Sequence, residues 1–172
     1  EMIGRLRERI LLFRDKDREF EVQAFDNQMQ LSWSRELTEL DKSGVQVLSV
    51  IGSRNDFSVI FKQRKRGVST LKVYKFDAGA KLIDTLTVKT YAERFMVSPF
   101  LDIIRSEDKN CFLVFNPSER QTLETVCFRL DKMKVLWDKT IFIKDSDSES
   151  NTKHMALSNE GDFFLVNEIN NR

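Results

Sequence analysis

His154 is the only histidine among the 172 residues, and that limits the acid–base chemistry this chain can do. A serine–histidine–aspartate relay would have to be built on it, and so would most zinc sites. It falls at the start of an expected strand, beside an acidic stretch, and reads as a partly exposed strand-end residue. There is no Cys-x-x-Cys, no His-x-x-x-His and no Gly-x-x-x-x-Gly-Lys phosphate loop, and the six glycines do not cluster. No catalytic residue, metal ligand or cofactor is expected. Asp145-Ser146-Asp147-Ser148-Glu149 alternates carboxylates with hydroxyls, the oxygen donors that Ca²⁺ prefers. It lacks the glycine and distal glutamate of a helix-loop-helix calcium site and reads better as a solvated loop. Lys62-Gln63-Arg64-Lys65-Arg66-Gly67 is a basic hairpin tip. It is either a solvated turn with Gly67 supplying positive φ, or a contact for an anionic group. Cys111 and Cys127 fall on adjacent strands of one hairpin. They read as two buried thiols, with a cross-strand disulfide as the alternative.

These side chains must be held by something, and composition bounds what. Hydrophobic residues make up 41% of the chain, enough for a sizeable core. Fourteen Phe stand against two Trp and two Tyr. Phe offers apolar area without a polar atom to satisfy, which suits packing between stacked sheets. The formal charge of +1 lacks the basic excess of a dedicated nucleic-acid surface, so no nucleic-acid partner is expected. No apolar run is long enough for a membrane helix, and no signal peptide is visible.

The chain repeats. Residues 53–89 and 106–143 read as two copies of one unit, with part-copies at both ends. Ser53, Ser106 and Ser158 open similar turns at intervals of 53 and 52 residues, and Asp26, Asp77 and Asp131 recur at 51 and 54. Short apolar runs alternate with polar turns and show no helical stripe, an all-β signal. A period near 50 built from short strands predicts a β-propeller of four-stranded antiparallel blades, labelled A to D from the axis outward. The boundaries are an incomplete blade over 1–38, blades over 45–89 and 100–143, and an incomplete blade over 153–172, all in a single domain. The first blade is expected to supply only strands B, C and D, and the last only A and B. The B strands, such as Cys111-Phe112-Leu113-Val114-Phe115, are continuous apolar runs and so require cover on both faces. Val59, Phe61, Phe112, Val114, Phe163 and Leu165 are the expected core. About three and a half units are fewer than a closed propeller needs, so a fragment, or closure by another segment, is expected.

At the C–D turns, Phe25-Asp26-Asn27-Gln28-Met29-Gln30-Leu31-Ser32-Trp33 and Leu130-Asp131-Lys132-Met133-Lys134-Val135-Leu136-Trp137 resemble the repeat of quinoprotein-like propellers. There an Asp-containing turn, usually with Gly, precedes a strand carrying Trp. The middle copy, Phe76-Asp77-Ala78-Gly79-Ala80-Lys81-Leu82-Ile83-Asp84, keeps the Gly and has Asp84 in place of Trp. The chain is also similar to uncharacterised propeller-like proteins of Bacteroidetes, which implies a cell-envelope setting.

In such a meander the B–C and D–A connections leave one edge, and the A–B and C–D turns leave the other. The D–A links vary in length, and variable loops on a repeated scaffold are where binding tends to reside. The expected partner-binding residues are Arg64, Lys65, Arg66, Tyr91, Arg94, Phe95, Asp145 and Asp147. The reading is a non-enzymatic propeller that binds a protein partner or forms a scaffold within a larger assembly. The alternatives are a propeller for carbohydrate or another small ligand, and an enzyme whose catalytic residues lie in other blades.

Overall fold

The computed structural model describes residues 1–92, 99–119, 122–143 and 153–167. Among them every regular element is a β-strand. The chain divides into two compact units, Glu1–Ala92 and Glu93–Arg172. The first unit holds two antiparallel meanders. One is β1 (Met2–Leu6), β2 (Arg9–Asp15), β3 (Phe20–Phe25) and β4 (Leu31–Glu36), and the other is β5 (Val45–Gly52), β6 (Asp56–Lys65), β7 (Val68–Asp77) and β8 (Leu82–Ala92). The second unit holds β9 (Asp102–Arg105), β10 (Cys111–Glu119), β11 (Thr122–Arg129) and β12 (Lys134–Phe142) as a third meander. The pair β13 (Lys153–Leu157) and β14 (Phe163–Asn167) follows it. The chain is thus an all-β partial propeller of about three and a half four-stranded repeats, as the period predicts.

The first blade corrects the expectation, because it is complete. Strand β1 pairs with β2, so the expected B, C and D strands have an A strand beside them. Its pattern escapes a sequence reading for a physical reason. The register shifts between Met2 and Gly4, and Gly4 sits at φ 135°, so the period-two alternation that marks a strand is broken.

Burial follows strand order. On β10, Cys111 to Phe115 are all buried, and on β6 Phe57 to Lys62 are. Strand β7 alternates buried and half-buried positions, and the outer strands β4 and β12 are mostly exposed. Of the expected core, Val59, Phe61, Phe112 and Val114 are buried, whereas Phe163 and Leu165 are half-buried. The first unit packs Leu11, Phe13, Val22 and Ala24 against Phe57, Val59, Phe61 and Phe76. In the second, Leu113, Phe115, Leu123 and Cys127 meet Leu157, Phe163 and Leu165.

The recurrent aspartates and serines are turn-makers. Asp26 Oδ1 accepts from the backbone N–H groups of Gln28 at 2.9 Å and Gln30 at 2.8 Å. Asp77 Oδ1 does the same for Gly79 at 2.8 Å and Lys81 at 2.9 Å. Each carboxylate thereby satisfies two donors that a tight turn leaves without strand partners. The positive φ in these turns falls on Met29 (60°) and Ala80 (59°), not on Gly79. The glycine of the middle copy is therefore not its conformational key. Asp131 departs from the pattern and takes the Arg129 guanidinium through Nε and Nη2, both at 2.9 Å. The serine turns differ in length. Ser53 N–H bonds Asp56 O, Ser106 N–H bonds Cys111 O, and Ser158 N–H bonds Asp162 O, spans of three, five and four residues.

Candidate functional site

The basic tip is a two-residue hairpin turn. Lys65 pairs with Val68, and the residues between them, Arg66 and Gly67, have φ of 53° and 75°. Positive φ at both central positions is the turn that matches strand twist, and Gly67 plays the conformational part expected of it. Arg64, Lys65 and Arg66 are exposed. The Lys65 and Arg66 side chains have no ion-pair or hydrogen-bond partner among the described residues.

The D–A link between β4 and β5 comes up against this tip. Arg64 N–H donates to Gly44 O at 2.7 Å. Gly44 lies at φ 73°, and a Cβ there would sit 2.4 Å from Arg64 O, so only glycine permits the approach. Lys42, in the same link, pairs with Asp15 at the end of β2 and lies 4.2 Å from the Phe20 ring centroid. At the neighbouring B–C turn the charges are internally matched. Lys16 donates to Glu19 at 2.7 Å and to Glu21. That hydrogen bond from Lys16 holds the Glu21 carboxyl below the usual carboxylate range, against the opposing effect of burial.

Tyr91 is brought to the same end of the sheet by register. Arg64 pairs with Ser69, which pairs with Tyr91. Tyr91 is nevertheless a strand residue only 7% exposed, with Lys89 Nζ 5.5 Å from its ring. Arg94, Phe95, Asp145 and Asp147 lie outside the described residues, as does the rest of the acidic stretch 145–149.

The residues singled out for chemistry are dispersed. His154 is exposed on β13, opposite Val166. Cys111 and Cys127 are free and buried. They do not face each other: Cys111 pairs with Arg129, and Cys127 pairs with Leu113, so they sit diagonally. Burial pushes both thiols up, Cys127 to about 12, which disfavours the reactive thiolate.

These cysteines belong to a clasp that sequence reasoning missed. The turn from Ser158 to Asp162 is held by the preceding blade. Trp137 Nε1 donates to Gly161 O at 2.9 Å. Arg129 Nη1 and the Cys111 thiol donate to Asn159 O, at 3.2 and 3.1 Å. Asn159 Oδ1 accepts from Asp108 N–H at 3.1 Å. The signal available was Gly161 itself, present in one of the three serine turns.

No protein-family profile matches the chain. No curated protein matches it. It is similar to solved chains of prolyl oligopeptidases, enzymes with a β-propeller domain. Prolyl oligopeptidase B from Galerina marginata, bound to a 35-residue hydrolysis and macrocyclization substrate, shares 11% identity over 97% of this chain at a TM-score of 0.47. The apo form of that protein matches at 11% identity over 97% with a TM-score of 0.48. A prolyl endopeptidase chain matches at 14% identity over 95%, also at 0.48. The chain spans under a quarter of these proteins, 22% or 23% of their length. Neither the quinoprotein-like resemblance nor that to Bacteroidetes proteins has a counterpart among them.

These neighbours correct one expectation. All of them are peptidases, so classing this chain as non-enzymatic does not stand. The physical reason is that strands showing no catalytic relay among the described residues can belong to an enzyme whose catalytic groups lie elsewhere.

Proposed function

We propose that the chain acts as a protein-binding propeller module within a larger assembly, using the edge that carries the basic tip. One observation carries this reading: the 2.7 Å bond from Arg64 N–H to Gly44 O, which joins the D–A link to the tip on one edge of the first unit. Backbone contacts fix the tip while Lys65 and Arg66 project without partners. That is the arrangement a charged docking surface requires. A protein with acidic side chains is the proposed partner in preference to a nucleic acid, because the chain's net charge is only +1. Arg64 and Tyr91 flank the tip in this reading, and the setting is the cell envelope; the other expected contacts, Arg94, Phe95, Asp145 and Asp147, lie outside the described residues.

The test is capture of partners from the native source with wild type and with a variant carrying Arg64→Glu, Lys65→Glu and Arg66→Glu. The expected result is a partner retained by wild type, released by rising salt and lost by the variant. Unfolding should change by less than about 1 kcal/mol, since exposed charges contribute little to stability. Equal recovery by both proteins would reduce the tip to a solvated turn.

A further inference from the structure

Trp33 and Trp137 occupy matching places in their repeats, seven and six residues after the turn aspartates Asp26 and Asp131, yet their surroundings differ. The Trp137 indole N–H is satisfied by Gly161 O at 2.9 Å, with Leu136 crowding the same glycine. The Trp33 indole N–H has no hydrogen-bond partner among the described residues, and the half-buried ring lines an open cleft of about 470 Å³. The serine turns that follow the two tryptophans also differ. The serine turn that follows Trp137 spans four residues and supplies Gly161, whereas the one that follows Trp33, Ser53 to Asp56, spans three and has no glycine. The shorter turn meets the β1–β2 turn, with Arg54 O accepting from Arg7 N–H at 3.4 Å.

The cleft has a defined chemistry. Leu6 and Ala78 provide apolar lining next to Trp33, and Arg7, Glu8 and Arg9 of the β1–β2 turn stand around it. Arg7 is held at φ 55°. The guanidinium groups of Arg7 and Arg9 have no ion-pair or hydrogen-bond partner among the described residues, and they outnumber the single carboxylate of Glu8. Gly79, at the far wall, is fixed by Arg35 Nη1 donating to its carbonyl at 2.6 Å. An indole face, an unused indole N–H and two unpaired guanidinium groups in a volume of this size suit one ligand class.

We propose that this cleft, on the edge opposite the basic tip, is a binding site for a small aromatic carboxylate. The ring stacks on Trp33 and the carboxylate is taken by Arg7 and Arg9. The site is independent of the protein-docking edge.

The test is a fluorine NMR titration of para-fluorobenzoate against the full chain. Saturable broadening is expected, at least about fivefold weaker for the Arg7→Ala, Arg9→Ala double variant. Both arginines are exposed, so a melting curve like that of wild type should accompany the loss. The Lys65→Glu, Arg66→Glu variant should bind as wild type does. Neutral para-fluorobenzyl alcohol and ringless fluoroacetate should each bind more weakly than para-fluorobenzoate. No saturable broadening up to about 5 mM, undiminished binding by the arginine double variant, or equal binding of the neutral alcohol would each overturn the proposal.

Discussion

Replacing Gly161 by alanine tests the clasp that joins the last two sheets, and its cost can be worked from two separate effects. Gly161 lies at φ 94°, where a side chain strains the backbone by about 1–2 kcal/mol. The added Cβ would also sit 2.6 Å from Leu136 Cδ1 and 3.3 Å from Cys127 Sγ. Overpacking of this kind costs about 1–3 kcal/mol. Leu136 can swing its side chain aside, and the 3.3 Å approach to Cys127 Sγ asks for only a few tenths of an ångström, so the lower end, about 1 kcal/mol, applies. The sum is about 2–3 kcal/mol. Gly67 supplies the comparison, because it lies at φ 75° with nothing within 4 Å of an added Cβ. There the strain acts alone, at about 1 kcal/mol. The assay is urea unfolding followed by tryptophan fluorescence, since each unit carries one indole. Gly161→Ala is read in a Trp33→Phe background and Gly67→Ala in a Trp137→Phe background. If Gly161→Ala costs no more than Gly67→Ala, the turn is not seated against Leu136 and Cys127, and the clasp is wrong.

Two further predictions follow from the second unit. Phe112 is 1% exposed and its ring centroid lies 5.9 Å from that of Phe128; Phe112→Ala should therefore cost about 3–5 kcal/mol in the same unfolding assay, and a shift within error would refute its core position. Because burial raises the Cys127 thiol from 9.0 to about 12, the folded state favours the protonated form. That stability is fully present below pH 9.0, where the unfolded thiol titrates, and is lost as pH rises through about 12. Denaturation midpoints should fall over that window and fall less for Cys127→Ala; parallel profiles would show that the thiol is solvated.

The blades are legible in the sequence because their turns use side chains for backbone work. Asp26 and Asp77 each hold two N–H groups, so the same residue type must recur at the same place. Continuous apolar runs mark β6 and β10, where Phe57 to Lys62 and Cys111 to Phe115 are buried without a break. Strand β1 is not legible, because Gly4 and the register shift at Met2 break its alternation. The candidate site is legible only in part. The tip Arg64-Lys65-Arg66-Gly67 announces itself by charge and turn type, whereas the Trp33 cleft gathers the β1–β2 turn, β4 and the β7–β8 turn, which lie far apart in the sequence. Tyr91 shows the opposite failure: an aromatic at the end of a strand reads like a loop anchor, but register carries it into the sheet.

The two edges of the meanders are built on different principles, and that bears on where binding can reside. On the A–B and C–D edge, the polar side chains are consumed by the turns themselves. Asp77 holds Gly79 and Lys81, and Ser158 accepts from Glu160 at 3.2 Å and Asp162 at 3.0 Å. A side chain committed to its own backbone has little left to offer a partner. On the B–C edge, the tip at Arg66 and Gly67 is shaped by backbone geometry alone, so its side chains are free to vary without cost to the fold. Partner recognition is therefore expected at this tip, in contrast to the B–C turn at Lys16, whose charge is taken by Glu19 and Glu21. The β1–β2 turn is the exception: the Arg7 and Arg9 guanidinium groups have no partner among the described residues, and the Trp33 cleft opens beside them on the edge that the fold otherwise saturates.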